Sequence, residues 1–138
     1  MPTFTNESEV RQKFQLTDTT LVPSSLVAAA IDDAHAELLR FLDSDTVTEP
    51  PEDALVMGET LLAGAHLYRS LASKAAFDQK RLGIGSTKLE ESSRFQSLMA
   101  VAEAAEEQAW YTLEPYLEAP PPRTVGDVTD TETVLGED

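Results

Sequence analysis

The sequence lacks cysteine altogether. That absence excludes disulfides, thiolate metal ligands and thiol nucleophiles together. It also lacks long hydrophobic runs, because no uninterrupted apolar segment approaches the roughly 18 residues that a membrane span needs. The first residues, MPTFTNESEVRQKF, do not show the basic-then-apolar layout of a signal peptide. These absences lead us to expect a soluble protein that stays inside the cell and contacts no membrane.

Basic residues are also scarce. Ten Lys and Arg stand against 25 Asp and Glu, for a formal net charge of −15 at pH 7. Such a surface repels nucleic acid and anionic membranes, so the charge argues against a conventional DNA-binding module. The 138 residues are 41% hydrophobic, which suits one domain with a modest core.

What the sequence does contain is helical periodicity, with no segment that alternates at the period of two typical of strands. A short helix is predicted over about residues 7 to 14, because Asn6 followed by Glu9 forms a capping box. A second helix is predicted to begin with Ser24 or Ser25 as its cap. Its apolar residues recur on one face, at Leu26, Ala30, Ala34, Leu38 and Phe41.

A long third helix is predicted from about Pro51 to Arg81. The paired prolines at 50 and 51 suit its first positions. The acidic side chains of Glu52 and Asp53 are favourable near its N-terminus, the positive end of the helix dipole. Many residues of its apolar stripe are small, so a neighbouring helix is expected to approach closely. The stripe consists of Ala54, Gly58, Leu61, Leu62, Ala65, Tyr68, Leu71, Ala72 and Ala75.

A fourth helix is predicted from about Lys88 to Leu113, and Pro115 disfavours its continuation. Its predicted inner face consists of Leu89, Gln96, Met99, Ala102, Ala105, Ala109 and Leu113. The acidic, proline-containing segment that follows is expected to be extended. We therefore predict an all-α fold: an antiparallel bundle dominated by a long two-helix hairpin, with shorter N-terminal helices. The helical domain is expected over residues 1–117 and the extended tail over 118–138.

The stretch QKRLGIGSTKLEE, residues 79 to 91, has the composition of a phosphate-binding loop but not its spacing. A Walker loop needs a Gly, four residues and then Gly-Lys-Ser/Thr after a buried strand. Here Gly83 and Gly85 are one residue apart, and Lys88 follows Thr87. We interpret the stretch as a bend in which Gly83 ends one helix and Thr87 to Glu90 form a capping box for the next.

No catalytic, cofactor-binding or metal-binding residue is predicted, and we do not expect an enzyme. His35 and His66 are the only histidines, too few for a zinc or di-metal site, so both are interpreted as structural or solvent-facing. Glu103, Glu106 and Glu107 are interpreted as one solvated acidic face of the fourth helix, since no cleft that would separate their pKa values is visible.

The candidate functional residues are instead positions for protein contact. Six of the ten basic residues lie within 26 residues around the glycine bend, which gives one end of the hairpin a basic character; surface charges without a role are the alternative. Trp110 and Tyr111 are adjacent and point in different directions, so each is assigned either to the core or to an inter-subunit contact. The interface candidates are Arg69, Lys74, Lys80, Arg81, Lys88, Arg94, Trp110, Tyr111, Tyr116, Pro120, Pro121, Pro122 and Arg123.

Over about residues 5 to 117 the layout resembles the head–tail connector, or adaptor, proteins of tailed bacteriophages. The matching pieces are SEVRQKF, the helix PSSLVAAAIDDAHAELLRFL, the long helix PEDALVMGETLLAGAHLYRSL, and the glycine bend that leads to a last helix and a tail. The resemblance implies a structural subunit of the virion neck that is made in the host cytoplasm.

Proteins of this family commonly form a twelvefold ring beneath the portal, with DNA passing through the lumen. The resemblance further implies contact with the portal through the C-terminal tail, and with the next neck protein, a stopper or tail terminator. A second class stays open: a small acidic helical regulator that imitates nucleic-acid charge and inhibits a basic enzyme.

Overall fold

The computed structural model describes residues 1–82 and 85–121, apart from the side chains of 78–82 and 85–92. Among the described residues the chain is all-α, as predicted, and no strand is present beyond one isolated antiparallel bridge between Leu42 and Leu117. Short 3₁₀ turns cover Ser44–Thr46 and Glu114–Tyr116. The helices are α1 (Glu7–Phe14), α2 (Ser24–Leu39), α3 (Asp53–Leu82) and α4 (Gly85–Leu113).

Helix α1 begins where the sequence predicts. The Asn6 side chain accepts a hydrogen bond of 2.9 Å from the backbone N–H of Glu9, which confirms the cap. The Arg11 side chain then joins α1 to the chain that precedes α2, because it donates to the carbonyl of Val22 at 2.7 Å. This short helix is therefore held by its cap and by a contact outside itself.

The predicted serine cap of α2 is wrong. Pro23 occupies the N-cap position, and no side chain caps the helix. The hydroxyl of Ser24 instead donates to Glu7 Oε2 at 2.7 Å, so it is engaged with α1. The predicted inner face is confirmed, with Leu26 and Phe41 partly buried and the other members buried. It is also wider than predicted, since Val27, Ile31 and His35 are buried too.

Helix α3 begins two residues later than predicted. The carbonyl of Glu52 accepts the first helical bonds, from the N–H groups of Leu55 and Val56. The prolines at 50 and 51 therefore lie before the cap, and the prediction that they occupy the first helical positions is wrong. The first half of the helix is buried beyond the predicted stripe, because α1, α2 and α4 all pack against it. The additional buried residues are Leu55, Glu59, Thr60, Ala63, Gly64 and Leu67.

Two glycines of α3 allow its neighbours to come close. A Cβ at Gly58 would overlap the side chain of Leu113 in α4, and one at Gly64 would overlap the ring of Phe14 in α1. Glycine lets each neighbour reach the helix backbone, which no larger residue would allow here. The close approach predicted for the stripe is thus confirmed at Gly58, and Gly64 adds a second close contact outside the predicted stripe.

The inner face of α4 is confirmed over its second half, where Ala102, Ala105, Ala109 and Leu113 are buried. Gln96 is exposed and was wrongly assigned to this face. It lies six residues before Ala102, about a third of a turn away around the helix. Leu89 lies outside the described side chains.

Helix α4 begins earlier than predicted and ends where predicted. The helix begins at Gly85, so Thr87 lies inside it and the predicted cap at Thr87 is wrong. Gly83 lies outside the described residues. At the other end the helix stops at Leu113, as predicted, and Pro115 enters a 3₁₀ turn.

Beyond α4 the chain is attached to the segment that follows α2. The N–H of Glu118 donates to the carbonyl of Phe41, and the N–H of Asp43 donates to the carbonyl of Tyr116, both at 2.8 Å. The first residue of the predicted tail thus bonds to the helical body. Within the described ranges, no helix is long and apolar enough to cross a membrane.

Candidate functional site

A fully buried carboxylate lies in the first half of α3. Glu59 of α3 is fully buried, and its Oε1 accepts hydrogen bonds from the N–H groups of Phe4 (2.7 Å) and Thr5 (2.8 Å). Its Oε2 lies 2.6 Å from Nδ1 of His35 in α2. A carboxylate in such a place is stable only when its oxygens are bonded. Glu59 thereby joins three separate segments of the chain.

The bonds continue from Glu59 to its neighbours. Nε2 of His35 lies 3.0 Å from the carbonyl oxygen of Met1, and the ring of Phe4 meets that of His35 edge-on, with centroids 5.2 Å apart. The hydroxyl of Thr60 donates to the carbonyl of Val56. Its oxygen therefore accepts the 2.6 Å bond from the hydroxyl of Thr5. We call Thr5, His35, Glu59 and Thr60 the buried polar centre.

The geometry of the buried polar centre suits anchoring. Two open cavities lie nearby, of about 520 and 400 Å³, and neither Glu59 nor His35 is among the residues that line them. Both oxygens of Glu59 and both ring nitrogens of His35 are already bonded within the chain. What the centre does is hold residues 1–5 against α2 and α3.

Sequence reasoning placed His35 correctly as a structural residue but missed its partner Glu59. The signal was present: Glu59 is the one acid within LVMGETLLAGA. His66 is half-buried and bonds Glu37 across helices at 2.8 Å. Within the described part of the chain, no group of three His, Cys, Asp or Glu is arranged to hold a metal ion.

The acidic side of α4 is only partly as predicted. Glu103 and Glu107 are exposed, whereas the Glu106 side chain is only 21% exposed and forms an ion pair with Arg69 of α3. The assignment of Glu106 to the solvated face is therefore wrong, because α3 passes beside it. The pair also places Arg69, an interface candidate, in a contact within the chain.

The adjacent aromatic residues have separate environments. Trp110 is buried in the core, with its ring edge-on to Phe41 at 5.5 Å between centroids, whereas Tyr111 is 80% exposed. Tyr116 is partly buried, and its hydroxyl donates to Glu52 Oε1 at 2.6 Å. That bond raises the pKa of Tyr116 above its usual value, because it stabilises the protonated phenol. Tyr111 is thus the aromatic interface candidate left available on the surface of this chain.

The remaining interface candidates are unevenly described. Lys74, Arg94 and Pro120 are exposed, and Pro121 is partly buried. The side chains of Lys80, Arg81 and Lys88 lie outside the described set, as do the residues Pro122 and Arg123. The predicted basic end of the hairpin therefore stays a prediction.

Comparisons of the chain with protein-family models, with curated proteins and with solved structures each found no match.

Proposed function

We propose that this protein is a structural subunit of a phage neck: a head–tail connector that assembles as a ring beneath the portal. The observation that carries the proposal is the pair of strongly exposed aromatic side chains on the helical body, Tyr111 at 80% and Phe77 at 62%. Aromatic side chains are enriched among the residues that anchor protein interfaces. The ring beneath the portal is proposed because the helix layout resembles that of connector proteins.

In this proposal the helices form an antiparallel bundle dominated by the α3–α4 hairpin. Two contacts support that arrangement, since Gly58 meets Leu113 and Arg69 meets Glu106, so later positions in α3 meet earlier positions in α4. The bodies pack side by side around a lumen. Acidic side chains lining it would repel the phosphate backbone and let DNA slide, because DNA binding depends on cationic neutralisation.

The extended tail, residues 118–138, contacts the portal in this proposal, with Pro120, Pro121, Pro122 and Arg123 at its start. A segment that orders on docking can cover a large surface. The opposite side of the ring meets the next neck protein, a stopper or tail terminator. Ring and tail together would join capsid to tail in the virion.

A tail truncation tests the portal contact. Ending the chain after Pro121 keeps the bond from Glu118 to Phe41, so the helical body retains its closing contact. We expect this variant to keep its helical circular dichroism and to lose portal binding in a pull-down. Full-strength binding by the truncated protein would contradict the role of the tail.

A measurement of mass tests the ring itself. Light scattering and electron microscopy of the protein, alone and mixed with the portal encoded by its genomic neighbour, should show a closed oligomer. A monomer or dimer in both conditions would contradict the connector proposal. If that same monomer bound a basic DNA-processing enzyme, the charge-mimic alternative would stand in its place. The net charge of −15 and the exposed Glu103 and Glu107 favour that alternative over other classes.

A further inference from the structure

Helix α4 carries an exposed face without charge, which we call the α4 face. Ser97, Val101, Ala104, Gln108 and Tyr111 follow one another at steps of four, three, four and three, so they lie on one side of the helix, and all are exposed. The stretch is about 21 Å long at 1.5 Å per residue. It ends at the most exposed aromatic residue of the helical body.

Acidic residues border the α4 face along one edge. Glu103 and Glu107 are exposed and precede Tyr111 at steps of four along the helix. A partner that covers the uncharged face would thus bring its own residues close to two carboxylates. A cation at that position would be favoured, and an acidic residue would be repelled.

A second exposed face on α3 has the matching chemistry, and we call it the α3 face. It consists of Ser70, Ser73, Lys74 and Phe77, which share one side of the helix at steps of three and four. The ring of Phe77 is 62% exposed, and Lys74 lies beside it. Among the side chains that the structure describes, this face therefore offers one cation and one aromatic ring, where the α4 face offers one aromatic ring and the two carboxylates at its edge.

We infer that the α4 face of one copy packs against the α3 face of a second copy, with Lys74 opposite Glu103 and Glu107. The inference rests on the proposed ring. Copies of net charge −15 repel one another, so a stable contact has to avoid opposing acids. An antiparallel contact between two α4 faces would place the carboxylates of both copies together. Pairing two different faces avoids this, and such a head-to-tail contact can close into a ring.

The absence of cysteine makes a cross-linking test clean, because each introduced thiol is the only one in its chain. Ala104→Cys and Ser73→Cys place one thiol on each face, at exposed positions. Mixed under ring-forming conditions and oxidised, the two variants should give a disulfide-linked dimer. The matched control pairs Ala104→Cys with Ala28→Cys, an exposed position on α2. Linkage no stronger than in the control, in rings of normal mass, overturns this inference and leaves the ring in place.

Charge exchange tests the ion pairs separately. Lys74→Glu should weaken self-association by at least about tenfold, and adding Glu107→Lys should restore much of it. Unchanged association in the single variant overturns the pairing.

Substitution of the exposed aromatic gives the third readout. Tyr111→Lys should weaken association by at least about tenfold, as for an interface anchor, while Tyr111→Phe should keep it. Because Tyr111 is exposed, both variants should retain wild-type thermal unfolding as monomers. Equal association of the Lys variant and wild type overturns the inference. Failure of the wild-type chain to oligomerise, alone or on a portal, overturns the ring as well.

Discussion

The first half of α3 and the outer side of α4 differ in where their acidic side chains lie. In α3 a carboxylate is buried completely and every oxygen is bonded within the chain, at Glu59. On α4 the carboxylates of Glu103 and Glu107 stay in solvent, beside a face that has no charge. The buried acid ties the N-terminal segment and α2 to α3, since its partners are the N–H groups of Phe4 and Thr5 and the ring of His35. The exposed acids are expected to contribute little to the fold, and in the proposed ring they select the surface that packs against α4.

The largest effect should come from removing the buried carboxylate. Glu59→Ala leaves the N–H groups of Phe4 and Thr5 and the ring of His35 without their acceptor. Breaking a buried, bonded pair in this way costs about 3–5 kcal/mol. We expect a loss of that size in the free energy of unfolding, measured by urea denaturation. The control Glu107→Gln should change it by less than about 0.5 kcal/mol. An equal loss of free energy of unfolding in the two variants would contradict the difference between the buried and the exposed acids.

The second effect compares two neighbouring positions of α4. Leu113 is fully buried against Gly58, whereas Tyr111 is exposed. Leu113→Ala should lower the free energy of unfolding by about 2–5 kcal/mol, through lost contacts and a cavity. Tyr111→Ala should lower the free energy of unfolding of the monomer by less than about 0.5 kcal/mol. Its main effect should instead be weaker self-association. Thermal unfolding and sedimentation on both variants separate the two quantities.

A smaller effect is expected where α1 meets α3. Gly64→Ala forces its new methyl group into the ring of Phe14. Overpacking of this kind costs about 1–3 kcal/mol. Shortening the opposing residue as well, in Gly64→Ala/Phe14→Leu, should cost less than the sum of the two single changes, because each compensates the other. Strict additivity in denaturation experiments would show that the contact is absent.

The smallest effect concerns pH. The hydrogen bond from Arg11 lowers the pKa of Glu7 below its ordinary value, and the bond from Ser24 adds to this. A carboxyl whose pKa is lowered on folding stabilises the protein above its ordinary pKa of about 4.5, and this stabilisation is lost as the pH falls through the lowered value. The stability difference between wild type and Glu7→Gln should therefore be present at pH 7 and shrink on acidification below pH 4. A difference that does not depend on pH would contradict the role of this bond.

Local signals predicted the local features and missed those determined by tertiary contacts. Asn6 and Glu9 identified the start of α1, and Pro115 the end of α4, because each acts on its own backbone. Ser24 has the residue type of a cap, yet its hydroxyl bonds Glu7, 17 residues away in sequence. Periodicity treats charged residues as outward-facing, so it missed Glu59. It did indicate that Trp110 and Tyr111 point differently, and only the tertiary contact of Trp110 with Phe41, which follows α2, shows which of the two is buried.

The attachment of residues 116 to 118 also has a mechanical consequence. Two backbone hydrogen bonds, at Asp43 and Glu118, join this segment to the chain that follows α2. A pull on the chain beyond Pro121 would act on the body through this short ladder, whose two hydrogen bonds should break before the helices unfold. The segment can detach by breaking these two hydrogen bonds while the helical body stays folded. Single-molecule extension from residue 121 should then show a small early release well below the force that unfolds the body.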